Sequence, residues 1–227
     1  MENLGGTCSD MAPGAGSAST PYCTARSGVN IAGSTSGKDV VVLEGNLADF
    51  SIAVPLKALT VVGKNAIITS GSAGTDGITI TNGTVYMRNV TVQGSASPAT
   101  GMGINVAPPG SSAVALYLTG CAIKNNPGGG IMLNSAAFDI ENTTVTGNGP
   151  GQTSGGLFWG GIRVESLPAS GPTILNHLTV QNNNPVGISC SGGITGTGVL
   201  ATLNTTAQIA NSCGFTSCTA GAGCGAP

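Results

Sequence analysis

A four-residue pattern of glycine, isoleucine, a variable residue and an apolar residue recurs along the middle of the chain, at 77–80, 103–106, 130–133, 161–164 and 187–190. Its isoleucines, Ile78, Ile104, Ile131, Ile162 and Ile188, are 26, 27, 31 and 26 residues apart. Within each segment apolar and variable positions alternate, which is typical of a short β-strand with one buried face. A repeat of this length predicts a solenoid whose successive coils stack on one another.

Two further strands are predicted in each middle unit. The second lies at 85–87, 116–118, 138–140 and 173–175, and the third at 90–92, 121–123, 143–145 and 178–180. Aligning the units gives an inward column of Val92, Ile123, Val145 and Val180, beside an outward column of Thr91, Ala122, Thr144 and Thr179. This pattern predicts an all-β fold, a right-handed parallel β-helix of about six coils with three short parallel sheets around a dry core.

The ends of the repeat define the predicted organisation of the chain. An entry strand is predicted at 39–43 and an earlier coil at 50–68, and the pattern fades after Cys190. We therefore expect a Cys- and Gly/Ser-rich N-terminal segment at 1–37, the β-helix at 38–210 and a Cys-rich tail at 211–227. Asparagines follow the third strand at 125–126, 148 and 182–184. Asparagine tolerates left-handed backbone angles, and its amide can bond the coils above and below.

Composition narrows the class of protein. Charged residues make up 7% of the chain and there are 38 glycines, but the regular apolar pattern argues against disorder. The formal net charge is −2 and the basic residues are dispersed, so we expect no nucleic-acid partner. No apolar stretch approaches the ~18 residues of a membrane span.

Seven cysteines indicate an oxidising compartment, since five of them lie in the poorly apolar ends of the sequence. We predict that Cys8 pairs with Cys23 and that two of Cys213, Cys218 and Cys224 pair. The inward cysteines, Cys121 and Cys190, are interpreted as small buried hydrophobes. The N-terminus does not resemble a signal peptide, so the sequence describes either a cytosolic protein or a mature chain with an added start residue; the cysteines favour the second interpretation. A single histidine and the lack of a Cys-x-x-Cys motif argue against a metal, and no cofactor is expected.

These features resemble the pectate-lyase-like superfamily of right-handed parallel β-helices. The resemblance covers roughly residues 38–210 and is carried by the entry coil at 59–63, the Gly-Ile-x-apolar strand and the Asn-bearing turn. The superfamily includes pectate lyases, polygalacturonases and pectin methylesterases, together with secreted and surface proteins of no assigned activity. The end segments look like those of bacterial secreted β-helix proteins. The family's catalytic motifs match no position here, because the chain has nine acidic residues and no Asp-Asp pair.

The remaining candidates for catalysis are Asp139 and Glu141, which lie two residues apart on the second strand and share its outer face at ~7 Å. Arg88 falls in the column of Glu141 two coils earlier, and Arg163 with Glu165 lies on another face. The alternative is that these are solvated surface charges or a weak cross-coil pair worth under ~1 kcal/mol.

Aromatic residues supply the candidates for ligand binding. Tyr86 and Tyr117 fall in one outward column on adjacent coils, where they form either a structural stack or a platform for sugar rings. Phe158 and Trp159 lie in the longest insertion, at 147–160, where they either contact a ligand or fold back over the coil. His177 shares a column with Asn89, Gly120 and Asn142 and is interpreted as a surface residue.

We therefore expect a secreted or cell-surface β-helix that acts as a structural or binding module, with a polysaccharide as the partner. The first alternative is a polysaccharide lyase or glycoside hydrolase of the same fold. The second alternative is a self-assembling fibre subunit, since the N-terminal segment shows no convincing amphipathic helix to cover the first coil. An ice-binding protein is the third, although Ala122 interrupts the outward threonine column.

Overall fold

In a computed structural model of the chain, the structure describes residues 8–11, 15–17, 19–35, 39–48, 50–69, 75–94, 101–110, 113–152, 158–210, 213–215 and 218–220. Side chains are described for these residues except 50–57, 151–152 and 218–220. One helix, α1 (Ala25–Ser34), precedes the strands. The strands are β1 (Val40–Ala48), β2 (Phe50–Thr69), β3 (Ile78–Gln93), β4 (Ile104–Val106), β5 (Val114–Thr119), β6 (Ala122–Lys124), β7 (Ile131–Asn134), β8 (Ala137–Glu141), β9 (Thr144–Thr146), β10 (Gly151–Gln152), β11 (Phe158–Trp159), β12 (Ile162–Ser166), β13 (Thr173–Asn176), β14 (Thr179–Gln181), β15 (Val186–Cys190), β16 (Val199–Thr202), β17 (Ala207–Ala210) and β18 (Cys218–Ala220).

The fold is a parallel β-helix, as the repeat predicts. Each strand of the solenoid pairs in parallel with the equivalent strand one coil away, and β2 and β3 run without interruption through all three sheets. The six coils that contribute to all three sheets span 50–69, 78–93, 104–124, 131–146, 162–181 and 186–202. A partial coil lies at each end, formed by β1 before them and by β17 and β18 after them. Only β10 and β11 pair antiparallel among the described strands, as a small hairpin.

The core consists of inward columns of apolar residues, and each coil contributes one residue to each column. The isoleucines of the repeat form one column, in which each pairs in register with the isoleucine of the next coil: Ile78, Ile104, Ile131, Ile162 and Ile188. All five side chains are fully buried. Val92, Ile123, Val145 and Val180 form a second buried column on the third sheet. Burying such a side chain contributes about 1.5–3 kcal/mol, and each one lies between the equivalent residues of the coils on either side. The register predicted from the sequence is therefore confirmed at these positions.

A ladder of buried asparagines fills the turn between the third sheet and the first. The Nδ2 of Asn126 donates to Oδ1 of Asn148 at 2.8 Å, Asn148 donates to Asn183 at 3.0 Å, and Asn183 donates to Asn204 at 3.0 Å. Each acceptor Oδ1 also accepts a hydrogen bond from the backbone N–H of the same asparagine that donates its side-chain amide to it. Because buried polar groups are costly unless they are bonded, this ladder fixes the turn while keeping the core dry. The predicted structural role of these asparagines is confirmed.

The residue before each ladder asparagine has a left-handed backbone, and a second left-handed column separates the second sheet from the third. That second column contains Asn65, Asn89, Gly120, Asn142, His177 and Gly198, all with positive φ. His177 has a φ of 50° and an exposed side chain. Its position is therefore explained by the turn, and it faces solvent as the sequence indicated.

The N-terminal segment does contain a capping helix, so the prediction that it lacks one is wrong. α1 begins after Thr24, whose Oγ1 accepts the N–H of Ser27 at 3.1 Å, and its buried residues are Ala25, Gly28, Val29 and Ala32. These positions form one face of a helix, and it packs against β1 and β2 as part of the same core. The segment was misread because its apolar face is made of small residues. Stacking between the ends of chains stays a prediction, but α1 covers part of the first coil.

Among the described residues there are two disulfides, one near each end of the chain. Cys8 pairs with Cys23 as predicted. Cys190 pairs with Cys213 at a Cα–Cα distance of 5.4 Å, so its interpretation as an unpaired core residue is wrong. The two are 23 residues apart, about one coil, and residues one coil apart are neighbours in a solenoid although they are distant in sequence. Cys121 is a buried free thiol, and burial raises its pKa. Because Cys213 pairs with Cys190, the predicted pairing of Cys213 with another cysteine of the tail is wrong. The side chains of Cys218 and Cys224 lie outside the described residues, so a bond between those two stays a prediction.

The fold also bears on the expected lack of a membrane span, on ice binding and on the division of the chain. Among the described residues, no helix is long and apolar enough to cross a membrane. The outward column of Thr91, Ala122, Thr144 and Thr179 lies in the predicted register and continues to Leu200 on β16, and ice binding stays a prediction. The division at 37 and 210 also stays a prediction, while β18 pairs with β16 and so continues the third sheet beyond residue 210.

Candidate functional site

The outer surface of the second sheet collects the candidate residues that the sequence placed there. Strand alternation produces two neighbouring outward columns, and we call them together the second-sheet face. Its first column is Val40, Thr60, Tyr86, Tyr117, Asp139 and Ile174, and its second is Val42, Val62, Arg88, Thr119, Glu141 and Asn176. The aromatic pair and the acidic pair, which the sequence suggested as separate candidates, are therefore neighbours.

Tyr86 and Tyr117 stack on each other, as their position on adjacent coils predicts. Their ring centroids are 4.6 Å apart and the ring planes differ by 17°. Tyr86 is 43% exposed, and Tyr117 is partly buried between Tyr86 and Asp139. Each ring uses one face for the stack, so the remaining face of Tyr86 is directed towards Thr60 and that of Tyr117 towards Asp139. Exposed apolar side chains extend the surface at its N-terminal end, where Val40 is 60% and Val42 54% exposed.

Asp139 and Glu141 have like charges and no cationic partner among the described residues. Burial raises the pKa of the Asp139 carboxyl above its ordinary value, and the neighbouring Glu141 raises it further. Its Oδ1 is enclosed and makes no hydrogen bond with the described part of the chain. Burial also raises the pKa of Tyr117, with smaller contributions from Tyr86 and Asp139. Arg88 lies two coils from Glu141 in the same column, a distance of about 10 Å along the stack, and no ion pair joins them.

The aromatic residues of the long insertion lie elsewhere and differ from each other in exposure. Phe158 is 56% exposed, whereas Trp159 is 1% exposed. The indole ring of Trp159 covers Gly129, where a Cβ atom would collide with it. Trp159 therefore folds back over the coil, the second of the two arrangements that the sequence allowed, and its ring is not open to a ligand in this structure. Residues 153–157 of the insertion lie outside the described residues.

Arg163 and Glu165 form a structural network on the outer surface of the first sheet. Arg163 is 5% exposed, and its Nε donates to Glu165 at 2.8 Å. Its other guanidinium nitrogens donate to Ser189 at 2.7 Å and Ser191 at 3.3 Å on the next coil. Since each charge meets an opposite charge or a hydrogen-bond acceptor, the network holds two coils together and leaves no group directed at a ligand.

A shallow open groove, which no pattern in the sequence predicts, lies beside the second-sheet face. It has a volume of about 550 Å³ and follows the left-handed turn through Gly63, Lys64, Asn65, Asn89 and Gly120. Its size is within the ~300–1,000 Å³ range of small-molecule sites. Turn backbone forms much of it, and its one charged side chain, Lys64, pairs with Glu44 at 2.8 Å. The signal in the sequence is the repeated Asn or Gly between the second and third strands, which indicates a turn and no particular chemistry.

Neither a metal cluster nor a known relative adds to the description of this face. Within the described ranges, no group of three or more His, Cys, Asp or Glu side chains could hold a metal ion. No family model matches the chain, and no curated protein or solved structure is recognisably similar to it. The fold and the second-sheet face are therefore the basis on which its function is argued.

Proposed function

We propose that this protein is an extracellular or cell-surface β-helix that binds a polysaccharide with its second-sheet face. One observation carries the proposal: an exposed, preformed stack of Tyr86 and Tyr117 lies in the same column as the Asp139 carboxyl group. Aromatic faces pack on the C–H faces of sugar rings, while carboxylates accept hydrogen bonds from sugar hydroxyl groups. The two kinds of group that saccharide recognition uses are thus adjacent.

The stack favours binding because it is ordered before a ligand arrives. Each tyrosine ring is held by the other and by its strand, so a sugar that packs on it immobilises little additional side chain. One such contact contributes on the order of 1 kcal/mol by analogy with other aromatic packing. Binding is therefore weak at one sugar and gains when one chain contacts several coils of the solenoid.

The two disulfides support an extracellular location. Cys8–Cys23 fixes the segment before α1, and Cys190–Cys213 fixes the tail to the last complete coil. Disulfides persist in oxidising compartments and are rare in the cytosol. The partner in such a compartment can be a cell-wall or extracellular glycan.

The proposal is tested on a glycan array with the wild-type chain and with matched aromatic variants. Tyr86→Ala should weaken binding to each glycan that the wild type retains, because it removes the more exposed ring of the stack. Phe158→Ala is the control, since Phe158 is also exposed but lies outside the second-sheet face. If Phe158→Ala weakens binding and Tyr86→Ala does not, the binding surface is on the insertion and the second-sheet face is the wrong site.

A second candidate function is cleavage of the bound polysaccharide by Asp139 and Glu141. It is favoured by the two carboxyl groups on one strand face and by the upward direction of the Asp139 pKa shift, which is the direction that a general acid requires. Side chains two apart on a strand face are ~7 Å apart, which is within the ~6.5–9.5 Å separation of inverting glycosidases. Reducing-sugar release measures cleavage of either kind. The ultraviolet absorbance of unsaturated products distinguishes elimination by a lyase from hydrolysis. Cleavage by the wild type and none by Asp139→Asn would make the protein an enzyme.

A further inference from the structure

The second-sheet face carries two neighbouring negative charges that no ion pair neutralises among the described residues. Glu44 is neutralised by Lys64 at 2.8 Å, and Glu165 by Arg163 at 2.8 Å. Asp139 and Glu141 instead repel each other, and one oxygen of Asp139 is enclosed without a hydrogen bond among the described residues. A cation that meets the accessible oxygens of these carboxylates would remove the repulsion.

We propose that the polysaccharide bound at this face carries free amino groups, and that Asp139 and Glu141 hold its ammonium groups beside a sugar ring packed on the tyrosine stack. This inference depends on the saccharide-binding function proposed above and adds the chemical class of the ligand. An ammonium group donates up to three hydrogen bonds, so it can satisfy a carboxylate and still bond a neighbouring sugar hydroxyl group or water. Amino sugars combine that charge with an apolar ring face.

The positions of the residues agree with one extended chain along the solenoid. Tyr117 and Asp139 occupy the same column on adjacent coils, which places them ~4.8 Å apart along the stack. A sugar unit in an extended chain is about as long as this spacing, so the ring on the tyrosine and the amine at the carboxylates belong to the same or neighbouring units. Beyond the tyrosines, the chain would meet Thr60 and the exposed Val40, which carry no charge.

The same charges disfavour polyuronates, the acidic glycans that the superfamily resemblance would suggest. A uronate carboxylate beside Asp139 and Glu141 would add a third negative charge to two that already repel. Arg88 is the basic residue in these columns, and Thr119 separates it from Glu141. A polyuronate could occupy the face only with a bridging cation, and this alternative is an outcome of the test below.

The experiment measures binding of the full chain to three soluble polymers: poly-glucosamine, its N-acetylated form and polygalacturonate, the last with and without calcium. Asp139→Asn/Glu141→Gln removes both carboxylates of the pair. Glu141→Gln and Glu165→Gln are matched single variants, since each loses one negative charge and glutamine can still accept a hydrogen bond. Melting temperatures confirm that all variants fold.

We expect the wild type to prefer poly-glucosamine, with an affinity that falls as salt is added. Glu141→Gln should weaken it up to about fivefold and the double variant about tenfold or more, while Glu165→Gln leaves it unchanged. The N-acetylated polymer should lose much less affinity in the double variant than poly-glucosamine does, because it carries no ammonium group and asparagine and glutamine can still accept hydrogen bonds from its hydroxyl groups.

Two outcomes overturn the inference while the proposed function stands. One is unchanged binding of poly-glucosamine by the double variant, and the other is preferred binding of polygalacturonate, including binding that requires calcium. In both cases Tyr86→Ala still weakens binding of the N-acetylated polymer. If the wild type retains none of the three polymers, the proposed function fails and this inference fails with it.

Discussion

The two aromatic groups of this chain occupy opposite environments. Trp159, on the longest insertion, is 1% exposed, whereas Tyr86, within a regular strand, is 43% exposed. Insertions of a solenoid commonly carry its function, so the position of Trp159 in the chain makes it a candidate for an exposed ligand contact. For this pair, strand alternation accounts for exposure better than loop position does. An outward residue has no core to enter, while an insertion can fold back.

The reason for the difference lies in what each ring meets. Trp159 covers Gly129, which has a φ of 111° and no side chain to occupy the space under the indole. Tyr86 meets the ring of Tyr117 on one face, directs the other towards Thr60, and keeps 43% of its surface exposed. Burial of a whole indole removes far more apolar surface from water than one stacking contact does. Stability should therefore depend on Trp159, and ligand binding on the tyrosines.

The largest effect is expected from Trp159→Ala, which should lower the free energy of unfolding by about 3–5 kcal/mol, as for other buried aromatic residues. Denaturant unfolding measures it. Trp159→Phe is the control, because it keeps an aromatic ring and removes an indole N–H that is buried without a hydrogen bond to any described residue. That variant should lose much less. Equal stability of Trp159→Ala and the wild type would show that the indole is exposed in solution.

Gly129→Ala should have the next largest effect, a loss of about 1–3 kcal/mol in the same measurement, because the new methyl group would overlap the indole ring. The backbone adds to the loss, since an alanine is strained at a φ of 111°. Gly110→Ala is the control for backbone strain without a collision, because Gly110 has a φ of 63° and nothing within 4 Å of the position that a Cβ atom would take. A loss at Gly129 no greater than that at Gly110 would mean that Trp159 does not cover the glycine.

The sequence specified the coils because the core repeats one residue type at one position. Ile78 and Ile131, for example, belong to recognisable segments whose alignment fixed the register of whole sheets. The same alignment contains the adjacency of Tyr117 and Asp139, which occupy equivalent positions on neighbouring coils. The alignment does not predict that the Asp139 carboxyl group is enclosed, because that depends on how the neighbouring side chains pack.

The features that the sequence did not predict lie where the repeat stops. α1 has an apolar face of alanine, glycine and valine, too small to give a strong amphipathic signal. The bond between Cys190 and Cys213 joins consecutive coils at the end of the solenoid, where the pattern had faded and sequence proximity favoured other partners. Trp159 follows an insertion without a period, and nothing in its neighbours indicates that Gly129 offers a place for it.

The tyrosine pair should contribute little to stability. Tyr117→Ala removes one stacking contact and should cost about 0.5–1.5 kcal/mol, a fraction of the loss for Trp159→Ala. Thermal unfolding measures this, and Phe158→Ala serves as an exposed control with no ring partner among the described residues. A loss at Tyr117 as large as that at Trp159 would mean that the stack is part of the core and would weaken its assignment as a binding surface.

The smallest effect is expected from Asp139→Asn, and its sign distinguishes an unsatisfied site from a structural one. The pKa of Asp139 is raised in the folded protein by burial and by Glu141, so the fold binds this proton more tightly than the unfolded chain does. Stability should therefore fall as the pH rises from the ordinary carboxyl pKa through the raised one, and the ionised group opposes folding at neutral pH. Asparagine carries no charge to bury there.

Asp139→Asn should accordingly raise the melting temperature slightly at neutral pH, and the difference from the wild type should disappear below the ordinary pKa of a carboxyl group. Glu165→Gln should do the reverse at neutral pH, because Glu165 accepts a hydrogen bond from the buried Arg163 and loses its charge in the variant. Melting curves across this pH range check both variants. A lower melting temperature for Asp139→Asn at neutral pH would show that its carboxylate is stabilised within the fold, and the unsatisfied charge that indicates a ligand would not exist.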